Sequence, residues 1–461
     1  EELPATPKIA TDLQLVRENL VNIRALVDAG PVLLGMAEVL VNSAGFLQNV
    51  RELSANPGPL LEDDAAWSGF KRQVQELSLT LEEQTGLIPG PNSSAGSGIE
   101  QRPEVKEFIR LIRQAASGTE ALVEAVEPLR GLAMRDDFRP MNGQRLNPNL
   151  LQVIREVEPS FQRAQKDFAD TRALLGSLRE QEVILSIQPF VNVLEGTLDR
   201  LVSLTQMGTV TAGLLPLLVG ERRPQNILLL PQNADELRAT GGFIVGSWLF
   251  TMDQGVMTRR QFVDNYDVDY LSPRQTEYLA PPEDMLRYQW AGVWIFLDAN
   301  WAPDYPTTAR MAREMYRKGQ GIRSNAVFAL DQYGMRDLVD ALGPLRIPGG
   351  GGRITSANFL AAMEAGTDEE SHRYIDRVLQ SLIDRLQEPM RPSHLFELLL
   401  ALERNLEQKH LLLFFDDSSA QQLVLANNWG GDIYPGAGDY LYVVDTNLGF
   451  DKSNRRIERE I

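Results

Sequence analysis

The chain has 461 residues, 43% hydrophobic and 23% charged, a composition that belongs to folded proteins rather than disordered ones. A formal charge of −18 and a pI of about 4.8 leave no electrostatic footprint for phosphate backbones, so no nucleic-acid partner is expected. Cysteine is absent and His372, His394 and His410 are the only histidines, with no metal-type spacing, which removes disulfides, thiolate chemistry and histidine-based zinc or triad sites.

From Thr11 to about Gly220 the hydrophobic period is helical, beginning with Leu13, Val16, Leu20, Ile23 and Val27 at spacings of three and four. Similar stretches cover 34–54, 65–84, 104–134, 148–182 and 187–219. The breakers are Pro31, Asn56-Pro57-Gly58-Pro59, the Gly/Ser/Pro-rich segment 88–103, expected to be a mobile linker, and the Met141-Asn142-Gly143 loop. Apolar stripes on successive helices must cover one another, so residues 1–222 are expected to form a helical bundle or spacer, suited to homo-oligomer formation. No apolar run of about 20 residues is evident to span a bilayer. The chain opens on Glu1, and membrane contact is expected only through an anchor outside these residues.

At Gly220 the period changes. Asn226–Leu230 reads as a buried strand, Phe243–Met252 and Val256–Val263 as a hairpin around Asp253-Gln254-Gly255, and Val293–Leu297 as a short strand. A helix follows over Tyr305–Lys318, a strand over Ala326–Leu330, a helix over Tyr333–Leu342 and an edge strand over Leu345–Ile347. Helices over 356–365, 371–387 and 393–405 precede a strand at Leu411–Phe415. Strands alternating with helices predict a sheet covered by helices over residues 223–418. Residues 419–461 are expected to complete that domain, with a strand at Leu441–Asp445 and the opening of a further β segment at Arg455–Ile461. The fold class expected for the chain is therefore α plus α/β.

Three stretches carry a resemblance: Asn226-Ile-Leu-Leu-Leu-Pro-Gln-Asn-Ala-Asp-Glu-Leu-Arg238-Ala-Thr-Gly-Gly-Phe-Ile, Asp298-Ala-Asn-Trp-Ala-Pro-Asp304-Tyr-Pro306 and Asp439-Tyr-Leu-Tyr-Val-Val-Asp-Thr-Asn447-Leu-Gly. Together they resemble an uncharacterised domain-of-unknown-function family of bacterial and archaeal cell-surface proteins. The stretch from Ala326 to Ile347, with Leu338-Val-Asp-Ala-Leu-Gly343 at its centre, is distantly similar to LytR-CpsA-Psr cell-envelope proteins. That similarity implies an extracytoplasmic, membrane-anchored protein that moves a glycopolymer from a polyprenyl pyrophosphate carrier to the cell wall. It also implies arginines on the phosphate and Mg²⁺ held by acidic groups. Arg238 stands where the first phosphate-binding arginine of that fold follows the opening strand, and Asn300 near its central asparagine. The pattern departs from the fold at Arg238-Ala-Thr-Gly, where the acidic partner is missing, and in having only Arg259, Arg260 and Asp264 near its Pro-Arg-Asp position.

Residues that follow a buried strand emerge at the ligand-binding end of an α/β sheet, which makes Arg238, Asp235 and Glu236 the candidate catalytic group. Asn233, Gly241, Gly242, Arg259, Arg260, Asp298, Asn300 and Asp304 are the candidate ligand-binding residues, the two glycines by letting a ligand or a neighbouring chain approach the backbone. A Glu236–Arg238 or Asp298–Arg238 ion pair that merely pins a loop is an equal alternative. Asp264, Asp267 and Asp269 form an acidic run able to offer oxygen ligands to a hard cation, with a solvated loop as the blander reading. Three functions stay open, the first two leading. One is an envelope protein binding a phosphate-bearing or glycan ligand of the polyprenyl-phosphate type, as a degenerate phosphotransferase; another is a non-catalytic structural or adhesive surface protein. The third is an active phosphotransferase attaching glycopolymers to the cell wall.

Overall fold

The computed structural model describes residues 50–51, 58–86, 103–178, 188–269, 278–348, 352–370, 373–449 and 451–457. The helix expected over residues 11–30, most of that over 34–54, and the linker 88–103 up to residue 102 lie outside the described residues. The chain divides into two compact units: Glu1–Arg135 with Gln152–Ala212 and Arg391–Ser393, and Asp136–Leu151 with Gly213–Met390 and His394–Ile461.

The first unit is helical, as the 3.6-residue period requires. It contains α1 (Gly58–Glu62), α2 (Asp64–Gly86), α3 (Pro103–Ala133) and most of α4 (Pro148–Leu178) and α5 (Gln188–Leu218). Trp67, Phe70, Val74 and Leu77, spaced three and four apart on α2, are all buried, as are Leu111, Ala115, Leu122 and Val126 on α3. Arg130 ties α3 to both α1 and α2: it pairs with Asp64, donates through Nε to the Leu61 carbonyl at 2.8 Å and lies 5.7 Å over the Trp67 ring. Contrary to the sequence expectation, one stretch, Leu194–Leu218, is long and apolar enough to cross a membrane by length and composition. Half of its most apolar window is buried, with Leu194, Leu198, Leu201 and Leu204 turned inward, which is how a core helix behaves.

The second unit is a mixed sheet with helices. Its strands are β1 (Met141–Asn142), β2 (Arg145–Leu146), β3 (Gln225–Asn233), β4 (Phe243–Ile244), β5 (Gly246–Asp253), β6 (Val256–Asp264), β7 (Ala326–Asp331) and β10 (Leu411–Phe415), in the order β1-β2-β6-β5-β3-β7-β10, with β4 also on β3. Among the described strands only β3 and β7 run parallel; the other neighbours are antiparallel. β8 (Leu345–Arg346) and β9 (Arg353–Ile354) make a separate antiparallel pair.

Local chemistry explains the turns and caps. The β5–β6 hairpin turns through Gln254 and Gly255 at φ 49° and 76°, the left-handed pair that matches strand twist. α6 (Asn265–Val268) and α7 (Glu283–Tyr288) are short, and a 3₁₀ segment Phe296–Trp301 leads to α8 (Tyr305–Gln320). Asp304 caps α8 by accepting from Thr307 N at 2.9 Å, and Gly321 ends it at φ 72°. Asp331 caps α9 (Gln332–Leu342) by accepting from Gly334 N at 2.9 Å. α10 (Phe359–Glu370), α11 (Arg373–Arg385), α12 (Pro392–Glu407) and α13 (Ser418–Ala426) complete the unit.

One sheet face buries Leu228, Leu230, Ile244, Leu249, Val327 and Ala329 with Tyr305, Ala309, Ala312, Met315 and Tyr316 of α8. Burial of each large side chain contributes roughly 1.5–3 kcal/mol. From the other face Trp248 donates through Nε1 to Asp376 of α11 at 3.0 Å.

Four expectations are corrected. Met141-Asn142-Gly143 belongs to the β1–β2 hairpin, and Arg145 pairs with Val256, so this hairpin joins the sheet and residues 136–151 belong to the second unit. Val293–Leu297 forms no strand beyond a single Leu279–Trp294 bridge, because the Phe296 N–H is taken by Asp269 at 2.8 Å and the chain then coils to bury Phe296 and Ala299. Leu441–Asp445 joins no ladder, and Leu441 is 87% exposed. Asn454–Arg456 is a 3₁₀ turn rather than an opening strand, and 458–461 lie outside the described residues. Helix α13, capped by Asp417 on Ser419 N and Ala420 N, was not anticipated.

Candidate functional site

β3 and β7 are parallel neighbours, so their C-terminal ends, Asn233 and Asp331, open at the same edge of the sheet. After β3 the chain makes an Asx turn: Asn233 Oδ1 accepts from Asp235 N at 3.0 Å and Asn233 O from Glu236 N at 3.1 Å. Gln332 at the start of α9 holds this turn, its Oε1 accepting from Ala234 N at 2.8 Å. Asn233, Asp235, Glu236 and Asp298 are thereby brought onto the wall of one cavity of about 550 Å³.

Most of that wall is apolar. Phe243 and Val245 come from the sheet side, Val293 and Leu297 from the loop before α8, and Met335 and Met363 from α9 and α10. Lys452 is a lining cation. Gln289 also lines the cavity; both atoms of its amide are buried without a hydrogen-bond partner. Its neighbours in sequence are exposed large side chains: Leu286 and Tyr288, and Trp290 at 86% exposure with a left-handed φ of 59°.

Arg238 does not line this cavity. It is only 2% exposed, donates through Nη2 to Glu236 Oε1 at 2.9 Å and through Nη1 to the Asn447 carbonyl at 2.7 Å, and has its Nε 3.8 Å from Asp298 Oδ1. The Phe243 ring lies 5.2 Å from the guanidinium. Of the two readings the sequence left open, the geometry supports the ion pair that pins a loop. Burial raises the Asp298 carboxyl above its usual range and the Glu236 charge adds to this, while Arg238 opposes it.

The remaining candidates separate. Asn300 is buried and donates through Nδ2 to the Gly242 carbonyl at 2.8 Å and to Thr240 Oγ1 at 3.3 Å, so it braces the loop. Gly241 has φ 124°, and a Cβ on Gly242 would fall 2.3 Å from the Asn233 carbonyl carbon. The close approach these glycines allow is that of the chain's own strand. Asp304 is spent on the α8 cap and on Ile433 N at 3.2 Å. Arg259 is exposed on β6, and Arg260 faces Asp376 at 3.5 Å.

The expected cation site is corrected. Asp264 caps α6, Asp267 is exposed and Asp269 points inward to Phe296 N, so the three carboxylates diverge. Among the described residues no group of three or more His or acidic side chains is gathered to hold a metal ion. Asp264, Asp267 and Asp269 therefore do not form the cation site that the sequence suggested, and no step is drawn through Mg²⁺.

Sequence reasoning missed the apolar wall, Gln289, Lys452 and the role of Asn447. The last stood in the motif stretch Asp439–Gly449 but gave no sign that it would close over Arg238. The Asn447 N–H donates to Leu237 O at 2.9 Å and the Asn454 N–H to Asp235 O at 3.0 Å, so this segment wraps the turn after β3.

Residues 222–367 match a family model described as a protein of unknown function (DUF4012). No curated protein and no solved structure matches the chain.

Proposed function

We propose that the α/β unit binds an amphipathic ligand of the polyprenyl-linked glycan type at the cell envelope, holding the apolar chain in the cavity and the head group at its carboxylate and amide rim. The observation that carries this reading is the 550 Å³ cavity whose wall is mainly apolar but includes Asn233, Asp235, Asp298 and the unpartnered amide of Gln289. Hydroxyl groups of a sugar donate to carboxylates and amides without requiring positive charge, whereas a phosphate meets Lys452 there as the lining cation. Exposed Tyr288 and Trp290 beside lining Gln289 suit a ligand taken from a lipid surface. The extracytoplasmic, surface-anchored setting and the distant LytR-CpsA-Psr likeness rest on the sequence resemblance. With Arg238 already matched to Glu236, the unit is read as a binder, a degenerate form of a phosphotransferase rather than an active one.

A second reading, a structural or adhesive surface protein with a helical spacer, is favoured by that same sealed arginine. The two separate in a titration of the protein with a short-chain polyprenyl phosphate carrying one sugar, followed by calorimetry. The expected result is saturable binding lost in Met363→Trp, which narrows the cavity, with the sugar alone binding far more weakly. Binding that is absent, or unchanged in a folded Met363→Trp variant, leaves the structural reading in its place.

A further inference from the structure

Away from this cavity, the β8–β9 pair presents a feature that neither the fold nor the site explains. Leu345 pairs with Ile354 and Arg346 with Arg353 in antiparallel register. Strand side chains alternate between faces, so the buried Leu345 and Ile354 place both arginines together on the opposite, exposed face. Like charges directly opposite one another repel. Sequence economy in a chain of net charge −18 offers no reason to set two cations side by side.

Arg346 and Arg353 line a second cavity, of about 470 Å³, with Ser381, Asp384, Arg385 and Glu388 of and just beyond α11. The two acids that share this cavity are bonded to partners other than Arg346 and Arg353. Glu388 accepts from Arg385 Nη1 at 3.0 Å, and Asp384 Oδ1 accepts from Gln380 Nε2 at 2.5 Å. Arg385 is further held by the Leu342 carbonyl, which accepts from its Nε at 2.8 Å. Among the described residues no side chain neutralises Arg346 or Arg353, and Ser381 fixes the strand beneath them by donating to the Arg346 carbonyl at 3.1 Å.

We infer that Arg346 and Arg353 form a binding site for a small tetrahedral dianion, a phosphate or sulfate group either free or carried as a monoester on a sugar. Two adjacent guanidinium forks present several N–H donors to such a group, and its two negative charges cancel the cross-strand repulsion that the ligand-free pair carries. Arginine rather than lysine suits this, because its planar fork binds tetrahedral oxyanions in pairs. The site is separate from the cavity at the end of β3 and stands whether or not that cavity takes a lipid.

The test is calorimetric titration of the whole chain at low ionic strength with inorganic phosphate, sulfate, acetate and a sugar phosphomonoester. One site per chain is expected for the dianions and none for acetate. Arg346→Gln and Arg353→Gln should each weaken phosphate binding about tenfold or more, and the double variant should abolish it. Arg346→Lys with Arg353→Lys should retain weakened binding, and Arg113→Gln, an exposed arginine elsewhere, should bind as the unmodified chain does. Without phosphate, the single Gln variants should melt no lower than the unmodified protein, which shows that they are folded and relieves the repulsion. Tighter binding of the monoester than of inorganic phosphate points to a glycan-borne group, and equal binding to the free anion. The inference is overturned if the folded Gln double variant binds phosphate like the unmodified chain, or if the unmodified chain shows no saturable phosphate binding.

Discussion

Arg238 Nη2 lies 2.9 Å from Glu236 Oε1 in a place where the arginine side chain is 1% exposed, so the cation that the sequence offered to a ligand is consumed by a neighbour two residues away. A guanidinium buried with its carboxylate stays put because removing one partner leaves the other charged in a poor solvent. The pair therefore shapes the loop that walls the cavity.

Arg238→Met is expected to cost about 3–5 kcal/mol in urea unfolding, since Glu236 and Asp298 both lose their counter-charge. Arg238→Met combined with Glu236→Gln should recover part of that loss. A single variant as stable as the parent would show that the buried pair is not what holds this loop.

Gly242→Ala places a methyl group against the Asn233 backbone, 2.3 Å from its carbonyl carbon, where neither side can yield without moving β3. The expected loss is at least about 1–3 kcal/mol, read as a lower thermal midpoint. Gly131→Ala, on a helix with nothing within 4 Å of the new methyl, should be neutral or stabilising.

His410 Nδ1 lies 2.7 Å from Asp331 Oδ2, and that hydrogen bond raises the imidazole above its ordinary value of 6.5, against the opposing effect of burial. The folded state then holds the proton more tightly than the unfolded state. Its stabilisation is complete below about pH 6.5 and is lost as pH rises through the folded value. Denaturant midpoints measured across neutral pH should fall with rising pH, and His410→Gln should flatten that slope. A slope unchanged in the variant would assign the effect to other groups.

Asp416 behaves oppositely. Burial works to raise its carboxyl, but hydrogen bonds from Arg313 at 2.6 Å and Arg323 at 2.9 Å outweigh this and lower it. Its contribution is present above the unfolded value near 3.8 and disappears as pH falls through the folded one. Asp416→Asn should therefore reduce stability at neutral pH and make little difference in strong acid, as followed by acid titration of the circular dichroism signal.

Trp290 holds a left-handed backbone with its ring in solvent. If the cavity beside it takes lipid-linked ligands, Trp290→Ser should leave the melting temperature nearly unchanged while reducing capture of the polyprenyl ligand from vesicles. Equal capture by both proteins would remove the rim from the binding account.

Much of the architecture was legible because it depends on period and punctuation. The helices of residues 64–86, 103–133, 148–178 and 188–218 follow their apolar spacing, and the Asp253-Gln254-Gly255 turn follows from residues that accept left-handed backbone. β3, β7 and β10 announce themselves as continuous apolar runs because strands covered on both faces need no polar alternation. Leu441–Asp445 has the same composition and forms no ladder, since strand identity also requires a free neighbour with matching hydrogen bonds.

The sequence on its own determined a helical first half, a sheet-and-helix second half and a turn rich in polar residues after the first long strand, because these depend on neighbours within a few positions. Tertiary structure alone decided whether Arg238 faced solvent or Glu236, whether Asp264, Asp267 and Asp269 converged, and whether Met335, Met363 and Val293 enclosed a space. Charge availability and cavity shape arise from groups more than a hundred residues apart, such as Asn447 closing over Arg238, and the cost of leaving a buried charge unmatched selects among arrangements that local pattern leaves equal.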